Sequence, residues 1–164
     1  MSKQQYNVLI LCTGNSARSI LGEVLFNALG KGRFCAYSAG SNPVGRVNPL
    51  ALELLQQRGH SIAGLRSKSW NEFALPGAPE IDFIFTVCDN AAGEVCPSWP
   101  GKPATAHWGI PDPAHVGDDE NRAAFRRAYE QLEYRITQFM ALPIEKLDKT
   151  TLEEKLIEIG RVGD

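Results

Sequence analysis

Cys12 and Arg18 stand at the two ends of a seven-residue loop, Cys12-Thr13-Gly14-Asn15-Ser16-Ala17-Arg18, and Ser19 follows directly. A thiol attacks as its thiolate, and a free cysteine pKa of about 8.5 falls in an electropositive setting. The loop comes straight after the apolar run Val8-Leu9-Ile10-Leu11. A strand ending at Cys12 and a helix beginning near Ser16 would turn the intervening backbone N–H groups inward, forming a nest with helix-dipole support for an anion of about −2 charge. Arg18 adds a planar fork for two oxygens of a tetrahedral anion. Asn15 suits a left-handed backbone position, and Ser19 can donate to a Cys12 thiolate. The plain alternative is a buried strand-end cysteine beside a solvated arginine. Gly14, Asn15, Arg18 and Ser19 at these spacings favour the anion loop.

The elements that must hold this loop can be read from periodicity. Val8 to Leu11 has the continuous apolar character of a strand covered on both faces, and Ile20, Leu21, Val24, Leu25, Ala28 and Leu29 recur at helical spacing. Gly30 and Gly32 stop that helix, Phe34 to Ala39 reads as a second strand, and Asn48-Pro49 opens a helix carrying Leu50, Ala51, Leu54 and Leu55. One helical turn is expected around Ser69 to Phe73. Ile81 to Val87 predicts a third strand delivering Cys88, and Thr105 to Trp108 a short fourth. Phe125, Ala128, Tyr129, Leu132, Ile136, Phe139 and Met140 form one face of a long helix between Asp119 and Leu142, and Leu152, Leu156 and Ile159 mark a final one. Strands alternating with helices predict a parallel sheet with ligands at the carboxyl ends of its strands.

With 164 residues, 43% hydrophobic and 22% charged, the chain is expected to form one domain over 1–164, with the helix at about 150–160 packed on it or extending from it. A net charge of −2 without basic runs excludes nucleic acid or an anionic membrane as a main partner. No signal or membrane-spanning stretch is evident, so a cytoplasmic monomer is expected. Four cysteines, at 12, 35, 88 and 96, form no Cys-x2-Cys pair, and His60, His107 and His115 lack paired ligand spacing. Catalytic or redox use is therefore favoured over a metal site, and Cys35, inside the second strand, is read as core packing.

The Cys12 to Ser19 loop, Ser38-Ala39-Gly40-Ser41, the pair Cys88 and Cys96, and Asp112-Pro113 together resemble the low-molecular-weight protein tyrosine phosphatase superfamily, and its arsenate reductase branch in particular. The resemblance implies a three-layer α/β/α fold on a four-stranded parallel sheet with the flavodoxin-like order 2-1-3-4. It implies that Thr13, Gly14, Asn15, Ser16, Ala17 and Arg18 bind arsenate, with phosphate or sulfate as analogues. It also implies that Cys12 is the nucleophile, Cys88 the second cysteine and Cys96 the third of a relay, and Asp112 a general acid. No tightly bound cofactor is implied. The spacing between Cys88 and Cys96 is one residue longer than in the thioredoxin-coupled members. The external reductant is thus left open among thioredoxin, glutaredoxin with glutathione, and mycothiol. Some members bind potassium through an Asn, a Glu, a Ser and an Asp. Asn15, Glu23 and Ser38 match the first three, but Arg66-Ser67-Lys68 offers no aspartate, so no metal is assigned.

Two other functions compete. A tyrosine phosphatase would need Cys12, Arg18 and Asp112 alone, but the tyrosines that wall its substrate are absent from Ala114-His115-Val116. A non-catalytic thiol sensor of oxyanions or redox state would call for an output surface, and none is evident.

Overall fold

The computed structural model describes residues 5–87, 103–110 and 118–161, and for 118–120 the backbone alone. Four strands, β1 (Tyr6–Leu11), β2 (Phe34–Ala39), β3 (Phe83–Thr86) and β4 (Ala104–His107), form one sheet of order β2-β1-β3-β4. All neighbouring pairs are parallel, with Val8 opposite both Ala36 and Phe83, and Phe83 opposite Ala104. The order that the sequence resemblance implies is the order observed.

The central strand explains its own unbroken apolar sequence. Side chains alternate between the faces of a strand, so Val8 and Ile10 enter the larger core cluster while Leu9 and Leu11 enter the smaller one. The larger cluster takes the apolar stripes of α1 (Arg18–Leu29), α2 (Pro49–Gln57), α3 (Asp118–Met140) and α4 (Lys149–Arg161). Its centre is aromatic, with Phe85 tilted against Trp108 at 4.0 Å between ring centroids and Phe83 set edge-on 5.0 Å from Phe139. The smaller cluster packs Leu9, Leu11 and Ile84 beneath Trp70 and Phe73 of the 3-10 helix Trp70–Phe73.

Local signals account for most boundaries. Asn48 caps α2 by accepting from Leu50 N at 2.8 Å, and Pro49 takes the first helical position, where no N–H is needed. The edge strand β4 is held by α4. Glu153 accepts the outward Thr105 N–H at 3.1 Å, and the Trp108 indole donates to Leu156 O at 2.9 Å. Gly160 comes so close that a β-carbon there would stand 2.6 Å from His107 O.

Cys35 departs from its expected place. β2 is the other edge strand, and its Phe34, Ala36 and Ser38 are buried while Cys35 and Tyr37 are half-buried on the opposite side. The Cys35 thiol donates to Tyr37 Oη at 3.3 Å instead of packing in the core. Helix α1 also begins two residues later than the sequence predicts, at Arg18: its first ladder bond runs from Leu21 N to Ala17 O, while Ser16 O accepts from Asn48 N at 2.8 Å.

Candidate active site

The loop leaving β1 is pinned from outside through its carbonyls. Thr13 O accepts from Asn42 N at 3.0 Å, Gly14 O from Val44 N at 3.1 Å and from Ser67 Oγ at 3.1 Å, and Ser16 O from Asn48 N. In a trans peptide the C=O of one residue and the N–H of the next point in opposite directions. The N–H groups of Gly14, Asn15 and Ala17 therefore point to the inner side of the loop. Ala17 stands at the N-cap of α1 without a side-chain cap, and the first turn carries no acidic residue. An uncapped helix end over inward N–H groups is an anion site in waiting. Gly40 permits this closeness, because a β-carbon there would stand 2.6 Å from Cys12 O.

Beneath the loop lies a buried polar network. Asn15 adopts φ 44°, the one non-glycine residue with positive φ among those described, and is fully buried. Its amide donates to Ser19 Oγ at 2.8 Å and Ser38 Oγ at 3.0 Å, and its carbonyl accepts from Lys68 N at 2.8 Å. Ser38 in turn donates to Glu23 Oε1 at 2.6 Å, the same oxygen that stands 3.7 Å from Lys68 Nζ. Burial pulls the Lys68 ammonium below the usual lysine range, while the facing Glu23 carboxylate opposes that shift.

Cys12 is buried at 5% exposure, and Arg18 reaches from the start of α1 to donate to Ile110 O at 2.9 Å. The three strand ends are tied in sequence. Leu11 O accepts from Val87 N at 2.9 Å, and Val87 O accepts from Ile110 N at 2.9 Å. These are the residues just before Cys12, Cys88 and Pro111-Asp112. The fully buried Arg135 of α3 donates to Gly109 O at 2.9 Å and fixes the same exit. Cys88, Cys96, Asp112 and His115 lie outside the described residues.

Thr13 to Ala17 thus form the loop that joins Cys12 to α1, and Arg18 and Ser19 open that helix. Ser67 and Lys68, which grip this turn from 53 residues away, carry no sequence signal of their own. His60 pairs with Tyr129 Oη at 2.7 Å and His107 with Thr86 Oγ1 at 2.8 Å, both remote from any ligand set. Among the described residues no group of three or more His, Cys, Asp or Glu side chains could hold a metal ion, and no helix is long and apolar enough to cross a membrane.

Comparison with known proteins gives a consistent picture. The sequence profile of the low molecular weight phosphotyrosine protein phosphatases matches residues 7–154. An arsenate reductase from Halalkalibacterium halodurans is 35% identical over 134 residues, covering 80% of this chain and 93% of that protein. The crystal structure of arsenate reductase from Archaeoglobus fulgidus superposes with a TM-score of 0.61 at 30% identity, over 79% of this chain and 98% of that one. A low molecular weight protein tyrosine phosphatase from T. tengcongensis superposes with a TM-score of 0.68 at 26% identity, over 87% of this chain and 100% of its own.

Proposed function

Because the chain belongs to the low molecular weight phosphotyrosine protein phosphatase family, we propose that it is an arsenate reductase in which Cys12 attacks the arsenic of a bound arsenate. The anion lies in the nest of inward N–H groups, with Arg18 turned onto two of its oxygens. Asp112 protonates the departing oxygen, which leaves as water, and a Cys12–arsenic(V) bond takes its place. Cys88 then attacks the Cys12 sulfur. The electron pair of the sulfur–arsenic bond passes to arsenic, which leaves as arsenite, and a Cys12–Cys88 disulfide remains. Cys96 attacks Cys88, freeing Cys12, and an external thiol reductant reduces the resulting Cys88–Cys96 disulfide. Two thiols are oxidised for each arsenate reduced.

One observation carries this reading: the backbone ties that run from Leu11 O to Val87 N and from Val87 O to Ile110 N. Neighbouring strands run about 4.7–4.9 Å apart, and a disulfide needs α-carbons about 4.4–6.8 Å apart. The chain segments that lead to Cys12 and Cys88 therefore run side by side at one strand spacing, which supports a relay between the two cysteines. Phosphatase chemistry asks nothing of Cys88.

The test is arsenite formation with thioredoxin, glutaredoxin plus glutathione, or mycothiol supplied in turn. Cys12→Ser should abolish it together with hydrolysis of an aryl phosphate. Cys88→Ser should abolish multiple-turnover reduction and keep the slow hydrolysis. Arsenite formed at the wild-type rate by Cys12→Ser would refute the assignment, and full reductase activity in Cys88→Ser would refute the internal relay.

A further inference from the structure

Lys68 is a lysine at 8% exposure, and its ammonium faces Glu23 on the buried side of the Cys12 loop. A charge in that position is costly to bury, so something must require it. Its partners show what. Glu23 Oε1 accepts the Ser38 hydroxyl hydrogen, Ser38 Oγ accepts one Asn15 amide hydrogen, and the other Asn15 hydrogen goes to Ser19 Oγ. Asn15 Oδ1 is filled by the backbone N–H of Lys68 itself. Ser38 donates to Glu23 and Asn15 donates to Ser38, so this arm of the network ends on the carboxylate, which when ionised can only accept. Ser19 receives a hydrogen from Asn15, so its own hydroxyl hydrogen is released for another acceptor, and the Cys12 sulfur lies at the other end of the same turn. The Lys68 N–H on Asn15 Oδ1 leaves both Asn15 amide hydrogens for Ser19 and Ser38, and the Lys68 ammonium faces the carboxylate on which Ser38 ends.

A free monovalent cation does not fit beside these residues. Asn15, Glu23 and Ser38 would offer it oxygens, but the Lys68 ammonium already stands 3.7 Å from Glu23 and donates to Arg66 O at 3.2 Å, and two cations on one carboxylate repel. Arg66 lies farther out and pairs bidentately with Glu72 at 2.7 and 3.1 Å, so its direct partner is Glu72. Lys68 holds both ends of the network, with its ammonium on Glu23 and its backbone on Asn15.

We infer that Lys68 is a built-in counter-ion that balances the Glu23 charge with its ammonium, fixes the Asn15 amide between Ser38 and Ser19 with its backbone N–H, and so lets the Cys12 loop hold its shape without a free monovalent cation. Lys68 is a positioning residue, and the inference rests on the reading of Cys12 as the nucleophile. Replacing Lys68 by a small residue leaves the half-buried Glu23 carboxylate beside a vacated space, which potassium can fill.

The experiment measures kcat/KM and Tm of the full-length protein in potassium chloride and in choline chloride at equal ionic strength. The wild type and Lys68→Arg should be indifferent to the choice of cation. Lys68→Ala should lose about tenfold or more in kcat/KM in choline chloride, because one member of a buried pair is gone. Potassium should restore most of the loss, and the Tm of this variant should climb with potassium concentration by linkage. Activity within about twofold of wild type in choline chloride, or a loss that potassium leaves unmoved, would overturn the inference. If Lys68→Ala does not fold in either salt, the Lys68→Met, Glu23→Gln double variant decides, since it removes both charges and keeps the volume. Wild-type activity in it overturns the inference, and a large loss insensitive to potassium supports it. The Tm response needs no turnover, so it stands apart from the Cys12→Ser test of the reaction itself.

Discussion

Replacing Asn15 with alanine removes the residue on which the loop turns. At φ 44° an alanine carries a left-handed strain that asparagine tolerates, roughly 1 kcal/mol of difference. Three hydrogen bonds also go, to Ser19, to Ser38 and from Lys68 N, all of them buried. At about 1 kcal/mol each, these bring the expected loss to about 4 kcal/mol. That is a large part of the about 5–15 kcal/mol that holds a domain together. Asn15→Gly relieves the backbone and loses the same three bonds, so it should cost about 3 kcal/mol. Urea unfolding followed by tryptophan fluorescence reads both. With a slope of about 2 kcal/mol/M the alanine midpoint should fall by about 2 M, and the glycine midpoint by about 0.5 M less. An alanine midpoint within about 0.5 M of wild type would refute the role given to the network. A glycine variant no better than alanine would refute the backbone part.

Two more outcomes test the site and its surroundings. Asp112→Asn should slow the first chemical step about 10²- to 10⁴-fold, the usual worth of a general acid, in single-turnover kinetics at saturating arsenate; an unchanged rate returns Asp112 to a turn residue. The contact with Cys35, and then burial, push Tyr37 up to about 12 from its ordinary value of 10.0. A folded pKa raised above the unfolded one contributes stability that is complete below about pH 10 and is lost as pH rises toward about 12. Cys35→Ala should therefore bring tyrosinate absorbance in at lower pH and flatten the loss of stability in that window.

What could be read from the sequence depended on how far apart the partners lie. The Cys12 loop, β1 and α1 were legible because the apolar run, the turn residues and the helical stripe adjoin one another. The fourth strand sits one residue earlier than Thr105 to Trp108. Trp108 is apolar and buried, but its indole serves α4, and residues Ala104–His107 make the strand. Ile81 and Val87 are likewise buried beyond the ends of β3, which covers only Phe83–Thr86. Cys35 was misread because alternation in an edge strand leaves one side half-open, and the sequence does not say which strand is the edge. Lys68 was invisible for a deeper reason. A lysine reads as solvated, and only the return of the chain against Glu23 and Asn15 makes it part of the floor.

The grip of α4 on β4 sets an order of events during synthesis. The nucleophile loop, its helix, β2 and the residues that pin the loop, out to Lys68, all lie within the first 68 residues, so the anion cradle can form early on a growing chain. The strand that leads to Asp112 cannot be finished then, because the outward Thr105 N–H and the Trp108 indole find their partners, Glu153 and Leu156, only in the helix translated last among the described elements. Until that helix emerges, β4 is an open edge with unpaired donors, the kind that recruits foreign strands. A ribosome-bound chain stalled before residue 149 would thus display a nearly complete nucleophile site beside an unfinished acid strand. Chaperone capture should be strongest in that interval and should end once α4 closes the edge.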